Sequence, residues 1–418
     1  MKLTRYKLGE LIDVRRGASL SGEYYATEGD LIRLTLGNFD YQGGGFKDNT
    51  SKNDLYFVGP IKQEFILREG DIITPLTEQT PGLLGSTAQI PVSEKYIQSQ
   101  DVALIIPDES KLDKDFCYYL LPSKIVKQQL AAGAQQTKIR HTTPDRIKDL
   151  TVFIPALEDQ RGIGKLLKSI DRKIVLNREI NRNLEAMLDT ITDYYLSSSS
   201  ILKECIRNLG TIKAGGDCPT IFKNEVSEEF KIPIYSNGIN NEGLYGYTTN
   251  ESKIVPARTL TIAARGTIGA SFIRMTPYVP IIRLISIIPY DKGGDIWIHQ
   301  MVNRMTFEKN GSVQQQLTVP EISNFNIPYP SSTEILKYES QTTPILQIIH
   351  SNKTEINKLQ NLRDTLMPLL MSGQVSVMPS EVNCDLQILG SLNIKQNVYC
   401  FHGRRIHWCI YRGIFHNC

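Results

Sequence analysis

The chain has 418 residues, 41% apolar and 22% charged, the balance of an ordinary soluble globular protein with room for two or three domains. A formal charge of +3 and a pI near 8.3 permit nucleic-acid binding without demanding it, since a small net charge can hide a basic face. No run approaches the ~18 to 20 apolar residues of a membrane span, and the stretch from Met1 to Tyr6 lacks the apolar core of a signal peptide, so a cytoplasmic protein away from membranes is expected.

Up to about residue 155 the pattern is of short strands and loops. Compact apolar runs lie at Leu31–Leu34, Asp71–Ile73 and Val102–Ile106, with a Gly-, Asn- and aromatic-rich loop from Gly37 to Asn53. A helix is expected near Asp115–Gln129, where Phe116, Tyr119, Leu120 and Val126 fall on one side. Then the period changes. Ile163, Leu167, Ile170, Ile174, Asn177, Asn181, Leu184, Leu188, Ile191 and Tyr195 follow alternating steps of four and three, a helical seam. Glu158 and Asp159 suit its first turn, and Ser197–Ser200 ends it as a joint.

The second half restates the plan. Leu8-Gly9 returns as Leu209-Gly210, Ile105-Ile106-Pro107 as Ile287-Ile288-Pro289, and Ile154-Pro155 as Ile327-Pro328. Strand-like runs are expected at Ile232–Ser236, Leu260–Ala263 and Ile281–Ile288. A second seam follows through Ile345, Ile349, Asn352, Ile356, Leu359, Leu362, Leu366 and Leu369. Thr343-Pro344 reads as its start, Pro368 as a kink and Gly373 as its cap. Each seam alone is marginal in water, so an antiparallel pair within one molecule is expected, with Asn177, Asn181 and Asn352 either fixing register or marking a wet opening. Duplicated domains on paired helical arms suit a partner that is itself a repeating rod, with double-stranded DNA the obvious candidate.

Two segments carry a resemblance. Pro155-Ala156-Leu157-Glu158-Asp159-Gln160 with Ile170-Asp171-Arg172-Lys173-Ile174 and Asn183-Leu184-Glu185 resembles the central conserved helix of specificity subunits of Type I restriction–modification systems. The stretch Lys358-Leu359-Gln360-Asn361-Leu362-Arg363-Asp364, ending Pro368-Leu369-Leu370-Met371-Ser372-Gly373, resembles the distal one. The resemblance implies an α+β fold: two mixed α/β target recognition domains joined by two long antiparallel coiled-coil helices, a pseudo-two-fold internal repeat. Residues 1–156 would be the first recognition domain, 157–200 the central helix and Ser linker, 201–330 the second domain and 331–377 the distal helix. It also implies a subunit with no catalytic centre or cofactor. Each domain would read half of a split DNA site, and the helices would space the halves and dock two modification subunits. Restriction subunits would join through these, with S-adenosylmethionine, ATP and Mg used by the partners. The entry to the second helix, Pro330-Ser331-Ser332-Thr333-Glu334, departs from the pattern by lacking the Leu and Gln of the first.

Catalytic motifs are absent from the sequence. Ile288-Pro289-Tyr290 lacks the amide or acid that would hold a base for amino methylation, and Gly43-Gly44-Gly45 joins no strand to a helix. Pro144-Asp145 with Asp171-Arg172-Lys173 has a nuclease-like spacing, but its second element lies on the seam helix. DNA reading needs donors on loops and cations for phosphate. In the first half the candidates are Arg33, Asn38, Tyr41, Lys47, Asn49, Thr77, Gln79, Lys138, Arg140 and His141. In the second they are Asn237, Asn240, Asn241, Tyr245, Tyr247, Arg265, Arg274 and Lys292. Arg265 stands out, because Ala264-Arg265-Gly266 follows an apolar strand in a tight turn. Gln135-Gln136 and Gln314-Gln315-Gln316 recur at matching places and could buttress the domains instead.

Residues 378–418 form an atypical tail past the family pattern. Cys384, Cys400, Cys409 and Cys418 crowd it beside three histidines, without a paired Cys-x-x-Cys zinc element, so no metal site is expected. A different reading of the whole chain is a coiled-coil assembly scaffold with duplicated protein-binding domains; polar, basic loops favour DNA.

Overall fold

The computed structural model describes residues 1–40, 44–78, 82–133, 140–198, 201–249, 253–305, 307, 316–377, 401–402 and 405–406. The helices among them are α1 (Lys114–Leu120), α2 (Lys124–Gly133), α3 (Pro144–Lys148), α4 (Leu157–Ser198), α5 (Ile206–Leu209), α6 (Gly294–Asn303), α7 (Val319–Ser323) and α8 (Ser332–Met371). Two compact units divide the chain: Met1–Ile174 with the residues from Asn357 onward, and Val175–Ile356. Each unit takes one half of each long helix.

In the first unit the strands Ile12–Arg16, Val102–Pro107, Ile72–Pro75 and Ala88–Gln89 form an antiparallel sheet in that order. Their β-branched runs supply the core: Ile72, Ile73, Val102 and Ala103 are fully buried. A second sheet orders Tyr25–Ala26, Tyr56–Phe57, Ile32–Arg33 and Tyr96–Ile97, its last pair parallel. Thr4–Lys7 pairs with Thr151–Ile154, which delivers the start of the chain to the root of α4. The single helix expected over Asp115–Gln129 is two, α1 and α2. Pro122 between them has no N–H to continue the ladder, and the Ser123 amide turns back to the Leu120 carbonyl at 3.1 Å.

The second unit repeats this order. Gly210–Ala214, Ile285–Pro289, Thr259–Ile262 and Ser271–Arg274 make the core sheet. Phe222–Lys223, Leu244–Thr248, Ile232–Tyr235 and Val279–Pro280 make the companion, again with one parallel pair. Ile201–Cys205 pairs with Asn326–Pro330 as the first strand of the other unit pairs with its last. The fold is therefore α+β, with one mixed domain present twice. The run Ile281–Ile288, expected as one strand, is broken: Ile282 and Arg283 take φ of +53° and +59° and form a turn before Ile285.

Both long helices turn their seams inward. Ile163, Leu167, Ile170 and Ile174 are buried on α4 in the first unit. In the second, Leu188, Ile345 and Ile349 form one apolar cluster with Leu184 and Ile191 against it. The pairing there is antiparallel: Asn177 donates to the Glu355 carboxylate at 2.7 Å, Asn352 to Asn181 Oδ1 at 2.9 Å, and Thr192 meets Tyr338 at 2.8 Å. The asparagines in the stripe thus have partners, as register-fixing residues require. In the first unit Arg363 reaches Asp171 at 2.9 Å, and Tyr119 donates to the same carboxylate.

The second helix starts at Ser332, eleven residues before Thr343. Ile335 and Tyr338 are fully buried there, with Tyr338 edge-to-face against Trp297 at 5.0 Å. That burial outweighs the hydrogen bond lost at Pro344, so a sequence that looks like a helix start lies within one. Gly373 caps the far end at φ +72°, and its carbonyl accepts from the Met1 ammonium at 3.3 Å.

Each domain is fastened to its helix by one short helix. In the first, Gly164 of α4 lies so close to the start of α1 that a Cβ would sit 2.8 Å from the Phe116 amide. In the second, Asp295 of α6 is 2% exposed and takes a forked pair from Arg258, Nη2 to Oδ1 at 2.9 Å, while Arg258 Nη1 also reaches Thr343 of α8. Arg258→Ala would leave that carboxylate buried and unpaired. A loss of about 3–5 kcal/mol is expected in denaturant unfolding followed by the fluorescence of Trp297. A loss below about 1 kcal/mol would show that the pair does not hold the domain to its arm.

Candidate nucleic-acid interface

The core sheets end in the same loop pairing in both domains. After the strand Ile72–Pro75 the chain continues to Thr77 and Glu78, which pair antiparallel with Arg140–His141, and the Thr142 amide bonds the Leu76 carbonyl at 2.8 Å. After Thr259–Ile262 it continues to Ala264 and Arg265, and the Leu317 amide bonds the Ala264 carbonyl at 2.9 Å. In each case the incoming segment then enters a short helix with a Thr cap and a Pro in its first turn: Thr143 for α3, Thr318 for α7. Thr77 with His141 and Arg265 with Gln316 thus occupy equivalent places.

In the first domain this edge shows His141 exposed and Arg140 partly so, its guanidinium 3.3 Å from the Glu78 carboxylate. Glu78 itself is buried, with one carboxylate oxygen accepting the amides of Gly82, Leu83 and Leu84. Thr77 is largely buried within the pairing. Tyr41, Gln79, Lys138 and the glutamines 135, 136, 314 and 315 lie outside the described residues.

Other candidates of the first domain are placed differently. Arg33 is buried, donates to the Asp54 carbonyl at 3.0 Å and stacks 3.7 Å from the Tyr25 ring. Asn38 donates to the Lys47 carbonyl and accepts from the Thr35 amide, and Asn49 donates to Thr35 Oγ1. These side chains staple their own loop, so the expectation that they face DNA is corrected: their hydrogen-bonding capacity is used inside. Lys47 is exposed on that loop.

The second domain gathers three segments. Arg265 stands on the hairpin between Thr259–Ile262 and Ser271–Arg274, with Gly266 beside it at φ +71° and open space around. Its Nε and Nη2 donate to Gln316 Oε1 at 3.2 and 2.8 Å. Arg283 donates to the same oxygen at 3.3 Å. Asn237 braces the group, accepting from the Ala264 amide at 2.7 Å and donating to the Ile282 carbonyl at 2.6 Å. It positions loops and has little left to offer a base. Gly215 and Gly216 floor a groove of about 420 Å³ between Arg265 and Arg283, and a Cβ on Gly215 would strike the Pro280 backbone at 2.7 Å.

Arg274 is a further correction. It is 2% exposed, 3.6 Å above the Tyr235 ring, and donates to Thr261 Oγ1 and the Glu242 carbonyl. Burial lowers its pKa. It lies opposite Thr259, at the far end of the hairpin from Arg265. Lys292 is exposed, but past Pro289, at the end of its strand away from Arg283. Asn240 and Asn241 are exposed in the tight turn between two strands of the companion sheet, with Asn241 at φ +48°, and on the strand that follows Tyr245 is exposed and Tyr247 half-buried. Sequence reading missed Ile282 and Arg283, whose turn hides inside an apolar run; the one charged residue between Ile282 and Leu284 was the available signal.

Among the described residues no group of three His, Cys, Asp or Glu could hold a metal ion, and no helix is long and apolar enough to cross a membrane. Cys117 is buried and its thiol pushed up to about 12 by desolvation, which makes it an inert core residue.

One mixed α/β domain thus occurs twice, each copy with the same loop pairing at the end of its core sheet and each packed on long-helix segments. The family of the Type I restriction modification DNA specificity domain matches residues 2–186 and 204–363, and the chain belongs to it. It is similar to a protein of Mycoplasma pneumoniae described as a type I specificity subunit, 23% identical across 88% of this chain and 96% of the relative. It is also similar to the specificity subunit of the Type I restriction enzyme MjaVIII of Methanocaldococcus jannaschii, 27% identical across 47% of this chain and 46% of that one. The crystal structure of the S subunit of a Type I restriction–modification system from M. genitalium shares the fold, with a TM-score of 0.60 at 17% identity over 88% of this chain and 96% of that chain.

Proposed function

We propose that each domain reads one half of a bipartite double-stranded DNA site through its matching edge, around Arg140 and His141 in the first and around Arg265, Arg283 and Gln316 in the second. The observation that carries this is the recurrence of one exposed edge at equivalent places of two copies of a fold. The paired helices α4 and α8 space the two readers and dock two modification subunits, through which restriction and translocation subunits join, in the cytoplasm. The chain supplies no chemistry of its own; S-adenosylmethionine, ATP and Mg belong to the partners. Support for docking comes from α4, where Leu176, Ile180, Met187 and Tyr194 are exposed at steps of four and seven, one apolar stripe on a single helix face.

The test is reconstitution with the modification subunit of the same system and random-sequence DNA. Methylation is expected at two fixed blocks separated by an unread gap. A Met187→Asp, Tyr194→Asp double variant should lower capture of the modification subunit at least about tenfold, with the melting temperature of the lone chain within about 2 °C. A single contiguous methylated block would end the two-reader proposal, and undiminished capture would move the docking face elsewhere.

A further inference from the structure

The edge of the second domain carries a narrower reading, which rests on the DNA-reading function proposed above. Arg265 and Arg283 are both exposed and both donate to one neutral oxygen, Gln316 Oε1. Two guanidiniums drawn to one acceptor repel each other. Among the described residues neither has a carboxylate partner, and Asp217, which also lines their groove, makes no ion pair with them. An electron-rich ligand would complete such a pair.

Geometry selects the kind of ligand. Gln316 occupies the Nε–Nη2 edge of Arg265 and leaves the Nη1–Nη2 edge facing away from that contact. A guanidinium pinned along one edge presents two parallel donors along the other, the match for O6 and N7 of guanine in the major groove. Among the described residues the Arg283 side chain makes one hydrogen bond, and its turn places two consecutive non-glycine residues at positive φ. An isoleucine in that region is costly, and such strain is kept where a side chain must be aimed. Ile282, 47% exposed, projects from this turn.

We propose that Arg265 reads a guanine in the second half-site, with Gln316 as its positioning residue and Arg283 on a flanking phosphate. The wild-type complex with its modification subunit first defines the methylated site on a random-sequence DNA library. Arg265→Lys keeps the charge and loses the fork. It should relax one G·C position of the second half-site by about 10- to 100-fold and leave the first half unchanged. Gln316→Leu should relax the same position less, and Gln316→Glu, which retains an acceptor, should restore it. Arg283→Ala should weaken binding to all sequences alike and reduce the salt slope by about one. Thermal melts accompany each variant, and if Arg265→Lys lowers the melting temperature, Gln316→Leu and Gln316→Glu carry the test. Full discrimination in Arg265→Lys, or a uniform loss of affinity, would place Arg265 on phosphate and overturn the proposal. Failure of the wild-type complex to recognise any bipartite site would instead overturn the functional reading beneath it.

Discussion

Replacing residues 1–156 with the matching domain of another family member should exchange one half of the methylated site and leave the other half and the gap unchanged. The expected effect is a complete switch, with the old half-site losing at least about 100-fold in preference, because specific sites exceed nonspecific ones by that much or more. The junction at Ala156 lies between the strand Thr151–Ile154 and the first residue of α4. The exchange nonetheless cuts a real interface. Gln160 accepts from the Asp113 amide and donates to the carbonyls of Lys111 and Pro155, Lys168 pairs with Asp115, and Asp171 accepts from Tyr119. The incoming domain must therefore bring counterparts of Asp115 and Tyr119, or the cut must move past Asp171. Sequencing of methylated DNA reads the outcome. Changes in both halves from a folded, assembled chimera would sink the two-reader architecture.

Four residues added to α4 after Asn183, matched by four added to α8 after His350, should lengthen the unread gap by about one or two base pairs. The rise is ~1.5 Å per helical residue, so the insertion adds ~6 Å against ~3.4 Å per base pair. Four residues also come within ~40° of a whole turn, which keeps most of the apolar stripe in line. An insertion in α4 alone would fail differently. It would move Thr192 a turn away from Tyr338 and Leu188 away from Ile345 and Ile349, while Asn181 kept its bond to Asn352. The matched pair leaves both sets of contacts intact on either side of the added turn. An active, assembled complex that retains the original gap would show that the helices hold the readers without measuring the DNA.

The repeat and both seams were legible because they are written in periodicity, and a pattern sustained over several heptads leaves few alternatives. The start of α8 was not. Thr343-Pro344 satisfies every local rule for a helix start, and only the burial of Ile335 and Tyr338 against Trp297 extends the helix before it. A run of β-branched residues likewise has the same composition whether it is one strand or two with a turn, so Ile282 and Arg283 were hidden. The site was legible as residue types and not as roles. Arg33 and Arg265 are equally cationic in sequence; what separates them is Asp54 with Tyr25 closing over one and a bare hairpin carrying the other. The carbonyl that takes up the Arg33 donors belongs to Asp54, 21 residues away, and no local pattern reports it.

The bond from the Met1 ammonium to the Gly373 carbonyl has a topological meaning. The first strand begins where the last long helix stops, so in the first unit the outgoing and incoming stretches of polypeptide lie side by side. In the second unit α4 leads into Ile201–Cys205 as directly as the cap at Gly373 abuts Leu3. The end of α8 and the first strand of the first unit are thus joined by packing, where α4 and Ile201–Cys205 of the second are joined by the chain itself.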